Sequence, residues 1–174
     1  MEILDSGARR EFETGCVRDI AVGKGRCDLL PLDVVTMLYE LCGGERPAES
    51  FNTLLHEGVL FEMLESYKLT GDVDYILDAV IALSTFYWNG ISDMLIDLAK
   101  HYEAGSAKYG ERNWEKGMPH HCFVDSAIRH YLKHRRGDVD EPHAIACVWN
   151  LMCLVWTKIH HPHLDDFCVV RGDN

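Results

Sequence analysis

The chain has 174 residues, 47% of them hydrophobic and 26% charged, which suits one globular domain with a sizeable core. Its net charge of −11 at pH 7 opposes broad binding to a nucleic-acid backbone, which calls for a basic surface. Apolar runs such as residues 79–83 are far too short to cross a membrane, and no basic-then-apolar segment of the signal-peptide kind opens the chain. Seven cysteines without a CxxC pair point to reduced thiols in a cytoplasmic setting, most of them small buried apolar groups.

Residues 1–30 carry Gly7, Gly15, Gly23 and Gly25 among charges, with little apolar periodicity, and predict an extended arm. Two readings of its end, Gly23 to Pro31, stand side by side. It docks on the surface through Leu29 and Leu30, or Lys24 and Arg26 reach the phosphates of a ligand held by the core. The GxxxxGK[ST] spacing of a P-loop is absent. A short apolar helix follows from Leu32 to Leu41, stopped by Gly43-Gly44 and Pro47. Ser50 can N-cap the next, which runs to about Thr70 with Leu54, Leu55, Leu60, Met63, Leu64 and Tyr67 as its stripe. Gly71-Asp72 breaks the chain before an apolar helix to Trp88, and Asn89-Gly90 breaks it before another from Ile91 to about Ala104. Strand signals are almost absent, so the expected fold class is all-α.

Lys108 to Gly117 is too rich in Gly, Asn and charge for a helix interior and reads as a loop. A helix from about Phe123 to His134 then places Asp125, Arg129 and Lys133 at i, i+4 and i+8 on one face. The turn Arg136-Gly137-Asp138-Val139 leads into a helix that begins near Asp140-Glu141-Pro142 and reaches about Trp156, giving an antiparallel hairpin. The tail from His160 to Asn174 reads as solvated and frayed, with a His-rich tract. The organisation is thus an arm over residues 1–30, one helical domain over 31–159, and a tail over 160–174. Gly71-Asp72-Val73-Asp74 recurs as Gly137-Asp138-Val139-Asp140, each copy following a helix and closed by a Trp, Trp88 or Trp156. Two hairpins packed together make a bundle of four main helices.

Most of the polar chemistry falls in the second copy. The stretch from His101 to Asn150 holds six of the ten histidines. Mg²⁺ is hard and takes oxygen ligands, one or two carboxylates being enough when phosphates and waters complete the shell. Asp125, Asp140, Glu141 and His143 are the candidate metal ligands, for Mg²⁺ or alternatively Mn²⁺. Lys108, Arg112, Arg129 and Lys133 suit phosphate oxygens. His130 and Glu141 are the candidate catalytic groups, Trp114 a stacking surface for a base, and Asn113 or Asn150 readers of its edge. The competing reading of Arg129, Lys133, Asp140 and Glu141 is a set of inter-helix salt bridges. For Trp149 and Trp156, core packing leads. The first hairpin offers Glu62, Glu65, Asp74 and Asp78, as further ligands or as an ordinary solvated face.

Glu13-Thr14-Gly15-Cys16-Val17-Arg18-Asp19 and Gly23 to Pro31 resemble the opening of the phage and prophage dATP/dGTP diphosphohydrolase proteins. Lys108-Tyr109-Gly110, Asn113-Trp114-Glu115-Lys116-Gly117, Asp125-Ser126-Ala127-Ile128-Arg129-His130, Asp140-Glu141-Pro142-His143 and Trp149-Asn150 match that family's central motifs in order. The resemblance covers about residues 10–40 and 91–157. That family looks like a branch of the MazG-like all-α NTP pyrophosphohydrolases, oligomeric helical bundles that use Mg²⁺ to split a nucleoside triphosphate into monophosphate and pyrophosphate. It implies a purine deoxynucleoside triphosphate substrate (dGTP or dATP) and a homo-oligomer, dimer or tetramer, while the charge and the short apolar runs predict no membrane or nucleic-acid partner. The superfamily pattern, ExxE then ExxD, is departed from: Asp125 to Arg129 stands at the first place, and Ala144 lies three residues after Glu141. The alternative is a nucleotide-binding or regulatory protein on the same bundle with reduced catalysis. A His/Asp phosphohydrolase needs a His-Asp dipeptide, which the chain lacks.

Overall fold

The computed structural model describes residues 9–20, 22–43 and 58–167. Six α-helices are present among them: α1 (Leu32–Gly43), α2 (Val59–Thr70), α3 (Asp74–Tyr87), α4 (Ile91–Tyr109), α5 (His120–Arg136) and α6 (His143–His160). Two short strands, β1 (Arg9–Glu11) and β2 (Val17–Asp19), pair antiparallel with Arg10 opposite Arg18. The class is all-α as expected, built on the α2–α3 and α5–α6 hairpins. Ser50 and the stretch around Pro47 lie outside the described residues.

Helix α6 is the axis. Its sequence is apolar nearly all round, and residues 145–148 and 150–155 are all buried, the signature of a helix enclosed by others. It packs against α5, α3, α4 and α1. The hairpins meet where α3, with Ile76, Leu77, Val80 and Leu83 buried, lies on α6. No single helix among the described residues is long and apolar enough to cross a membrane.

The arm is more structured than an extended segment. Phe12 N–H donates to the Cys16 carbonyl (2.9 Å) across a turn with Gly15 at φ 79°, so β1 and β2 form a small exposed hairpin. The chain then lies on α4. Gly23 and Gly25 N–H groups donate to the two carboxylate oxygens of Glu103, each at 2.9 Å, and Arg26 N–H donates to the Ala99 carbonyl (3.0 Å). Gly25 is required there: at φ 89°, a Cβ would sit 3.0 Å from both Ala99 Cβ and the Lys100 nitrogen. Leu29 and Leu30 are buried, so the arm docks through the two leucines.

The tail differs from expectation over residues 161–167, which are packed rather than frayed. Phe167 is buried edge-on against Tyr67, with ring centroids 6.3 Å apart. Asp165, also buried, pairs with Lys158 at 2.6 Å and lies 3.4 Å from His120, whose Nδ1 meets the Tyr67 hydroxyl at 2.8 Å. A carboxylate in the interior is tolerable because a cation and an imidazole meet it. The cysteines also differ from expectation. Among the six described, all free thiols, only Cys147 and Cys153 are buried, with burial pushing the Cys147 thiol up to about 12.

Candidate functional site

A pocket of about 730 Å³, within the usual size range for a small-molecule site, opens between the end of α4, the loop 110–117 and the α5–α6 hairpin. Helix α4 does not stop near Ala104 but continues to Tyr109, and so brings His101, Gly105 and Lys108 to the pocket at i, i+4 and i+7. From α5 come Ser126 and His130, from α6 Ala146, Trp149 and Asn150. A 3₁₀ turn, Asn113–Lys116, presents Arg112, Asn113, Trp114 and Lys116. Leu29 of the arm closes one wall.

That loop is braced from both sides. Arg112 takes a left-handed backbone (φ 53°), a strained conformation for a residue with a side chain. Its guanidinium donates to the Asp28 carbonyl (2.8 Å) and pairs with Glu115. Gly117 abuts Leu164 and His161, where a Cβ would lie 2.8 Å from the leucine Cδ1. His161 Nε2–H donates to the Glu115 carbonyl (2.9 Å).

The balance of charge is the pocket's main electrostatic fact. In a chain of net charge −11, the lining holds Lys108, Arg112 and Lys116 against one carboxylate, Glu141. Glu141 is about half exposed, and its Oε1 lies 3.3 Å from both His130 Nδ1 and His143 Nδ1. The two Nδ1 atoms are 3.1 Å apart. His143 is buried, and its Nε2 is 2.8 Å from Asp140 Oδ1. Hydrogen bonds from His143 and then Lys133 hold the Asp140 carboxyl down at about 2, so it stays ionised and can only accept. The proton therefore sits on His143 Nε2, and in the neutral ring Nδ1 presents a lone pair. Burial lowers His130 and also His101, favouring neutral rings facing the pocket.

Of the residues singled out from sequence, the pocket gathers Lys108, Arg112, Asn113, Trp114, His130, Glu141 and Asn150. His143 and Asp140 adjoin it through His130 and Glu141. Others go elsewhere. Asp125 pairs with Arg129 at 2.6 Å on the exposed face of α5 and, among the described residues, joins no cluster of metal-ligating groups. Lys133 is spent on Asp140 at 3.1 Å. Lys24 pairs with Asp19 at 3.6 Å. Arg26 bridges Asp28 (2.7 Å) and Glu111 (2.8 Å), and neither arm cation lines the pocket. The inter-helix salt-bridge reading thus holds for Lys133 and Asp140; Arg129 pairs within its own helix, and Glu141 pairs with no lysine or arginine among the described residues. Glu62 and Glu65 are exposed on α2 and, with Asp78, lie outside these clusters.

The tryptophans change places. Trp114 is buried, edge-on to Tyr102 (5.4 Å) and Trp156 (4.9 Å), so its ring is a wall more than a platform. Trp149, expected in the core, is half-buried at the pocket with His101 6.1 Å away. Sequence reasoning missed His101, Ser126 and Trp149. The signal was there, since Ser126 with His130 (i, i+4) and Ala146 with Trp149 and Asn150 (i, i+3, i+4) each share a face.

Residues 82–167 match the model of a family described as dATP/dGTP diphosphohydrolase, N-terminal. Over those residues the chain is similar to that family. The diphosphohydrolase match holds every pocket residue except Leu29, and does not extend to the opening motifs of residues 10–40. No curated protein and no solved structure matches the chain.

Proposed function

We propose that the pocket binds a purine deoxynucleoside triphosphate, dGTP or dATP, and adds water across its α–β bond to release the monophosphate and pyrophosphate. The observation that carries this is a basic pocket in an acidic chain, lying inside the diphosphohydrolase match. Lys108 and Lys116 neutralise the phosphate oxygens, and Arg112 joins them only on release of Glu115, which its guanidinium now holds. Trp149 offers a ring face to the base, and Asn113 and Asn150 carry amides suited to a base edge. His130 and Glu141 hold the attacking water and take its proton.

The donors fit Mg²⁺ only in part, because one carboxylate and two imidazoles are not the all-oxygen set that ion prefers. Glu141 would therefore be the protein ligand of Mg²⁺ carried by the triphosphate, with Mn²⁺ as the alternative. Bound there, it would supply charge neutralisation of the phosphate oxygens and polarisation of the phosphorus. A homo-oligomer of MazG-like type belongs to the same proposal.

One observation favours a second reading. With Asp125 and Asp140 committed to Arg129 and Lys133, a single carboxylate faces the pocket, as in a nucleotide-binding protein with reduced catalysis. An assay of all deoxynucleoside and ribonucleoside triphosphates with Mg²⁺ or Mn²⁺, with products separated by chromatography, decides between them. Equimolar dNMP and pyrophosphate from dGTP or dATP supports hydrolysis. Thermal stabilisation by dGTP without product supports the binding protein, and neither effect overturns both.

A further inference from the structure

The facing imidazoles of His130 and His143 stand within hydrogen-bond reach of each other and share a carboxylate neighbour, Glu141. His143 uses its Nε2 proton on Asp140, so its Nδ1 lone pair points at His130 Nδ1, 3.1 Å away, with Glu141 Oε1 at 3.3 Å from each. A single proton on His130 can serve only one of these two acceptors well. The same three atoms, two imidazole nitrogens and a carboxylate oxygen, are also close enough for one cation to hold once the rings, now nearly end-on with centroids 5.4 Å apart, turn toward it. With metal–ligand bonds of about 2.0–2.1 Å, neighbouring donors stand roughly 3.0 Å apart in an octahedron and roughly 3.4 Å apart in a tetrahedron. The observed 3.1, 3.3 and 3.3 Å fall between those limits.

We propose that His130 Nδ1, His143 Nδ1 and Glu141 Oε1 form a site for a divalent first-row transition cation, with the remaining coordination positions open to the pocket. Two imidazoles and a carboxylate select this class over Mg²⁺, since imidazole nitrogen is a borderline ligand. Asp140 completes it as the outer carboxylate that fixes the His143 tautomer and ring orientation. The supporting charge is arranged on the correct side. Asp140 is balanced by Lys133 and Asp138 by Arg136, whereas Glu141 has no such cation among the described residues. The rival grouping of Asp138, Asp140 and His143 uses carboxylates already neutralised by those side chains. The inference shares Glu141 and His130 with the nucleotide reading but does not depend on it, and is tested without nucleotide.

Chelator-treated protein is titrated with Co²⁺, following visible absorption and, by equilibrium dialysis, the bound stoichiometry, with Zn²⁺ as competitor. The expected result is one Co²⁺ per chain, displaced by Zn²⁺ but not by millimolar Mg²⁺. His130→Ala and Glu141→Gln each weaken uptake at least about tenfold, and Asp140→Asn about ten- to hundredfold. His143 is buried and its loss risks the fold. His130→Ala and Glu141→Gln alter side chains that are 17% and 45% exposed, and unchanged melting of both keeps the comparison valid. Absence of stoichiometric Co²⁺, or Co²⁺ bound equally by both variants (as the His160, His161 and His163 tract alone would give), overturns the site. Hydrolysis with Mg²⁺ surviving that outcome would leave the nucleotide reading standing, while Co²⁺ binding without hydrolysis would remove that reading and not this one.

Discussion

Turns α2–α3 and α5–α6 begin alike, with a glycine in the left-handed region, Gly71 at φ 76° and Gly137 at φ 86°, closing the preceding helix. In the first, Asp72 accepts from the Asp74 N–H (3.0 Å) and α3 starts at Asp74 itself. In the second, Asp138 is held by Arg136, and α6 starts at His143, three residues after the matching Asp140. The cause is local: the Pro142 ring disfavours a helical backbone at the residue before it, so Asp140 and Glu141 stay outside the helix. They turn toward His143 and His130 instead of capping. The inner face of the first hairpin is Leu60, Leu64, Tyr67, Ile76 and Leu77, a packed contact whose polar atom, the Tyr67 hydroxyl, is taken up by His120. A delayed helix start is thus the difference between a structural turn and a chemical one.

Matched substitutions at the two turns should break this comparison most visibly. Glu141→Gln should lower turnover by about 10²-fold or more, the scale of a lost acid–base or metal-binding group, with stability changed by less than about 0.5 kcal/mol. Asp74→Asn, in the first turn, should leave turnover unchanged. Steady-state rates beside urea melts check both, and equal losses at the two positions would erase the distinction. Leu77→Ala should do the reverse, costing about 2–5 kcal/mol of stability by opening a cavity while activity per folded molecule persists.

Smaller effects sharpen the shared part. Gly71→Ala and Gly137→Ala should each cost about 1 kcal/mol, since both place a Cβ in the left-handed region. Similar values in denaturant titrations support a common turn entry. Smallest is Asp125→Ala, on an exposed i, i+4 pair, which should change stability by less than about 0.5 kcal/mol and nucleotide affinity not at all. A clear drop in dGTP affinity would return Asp125 to the site.

Much of the fold was legible because helix periodicity and breakers are local. Gly71, Asn89-Gly90 and Gly137 mark three of the helix boundaries, and the stripe Leu60, Leu64, Tyr67 faces the core. The site was legible in composition but not in orientation. Asp125, Arg129 and Lys133 do share a face, yet the pocket takes the neighbouring one, Ser126 and His130, because α5 is rotated by its packing on α6. Contacts distant in sequence were beyond reach: Glu103 holding Gly23 and Gly25, or Asp165 and Phe167 docking the tail on Tyr67 and His120. Neither partner announces such a contact in its own stretch of chain.

Amide hydrogen exchange with and without a dGTP analogue that resists α–β cleavage tests the central claim most directly, because it reports where the ligand sits independently of turnover. The account predicts slowed exchange at the end of α4, in residues 110–117 and across the α5–α6 turn, with α2 and α3 unchanged. Protection centred on the α2–α3 turn, with the α5–α6 turn unaffected, would contradict it.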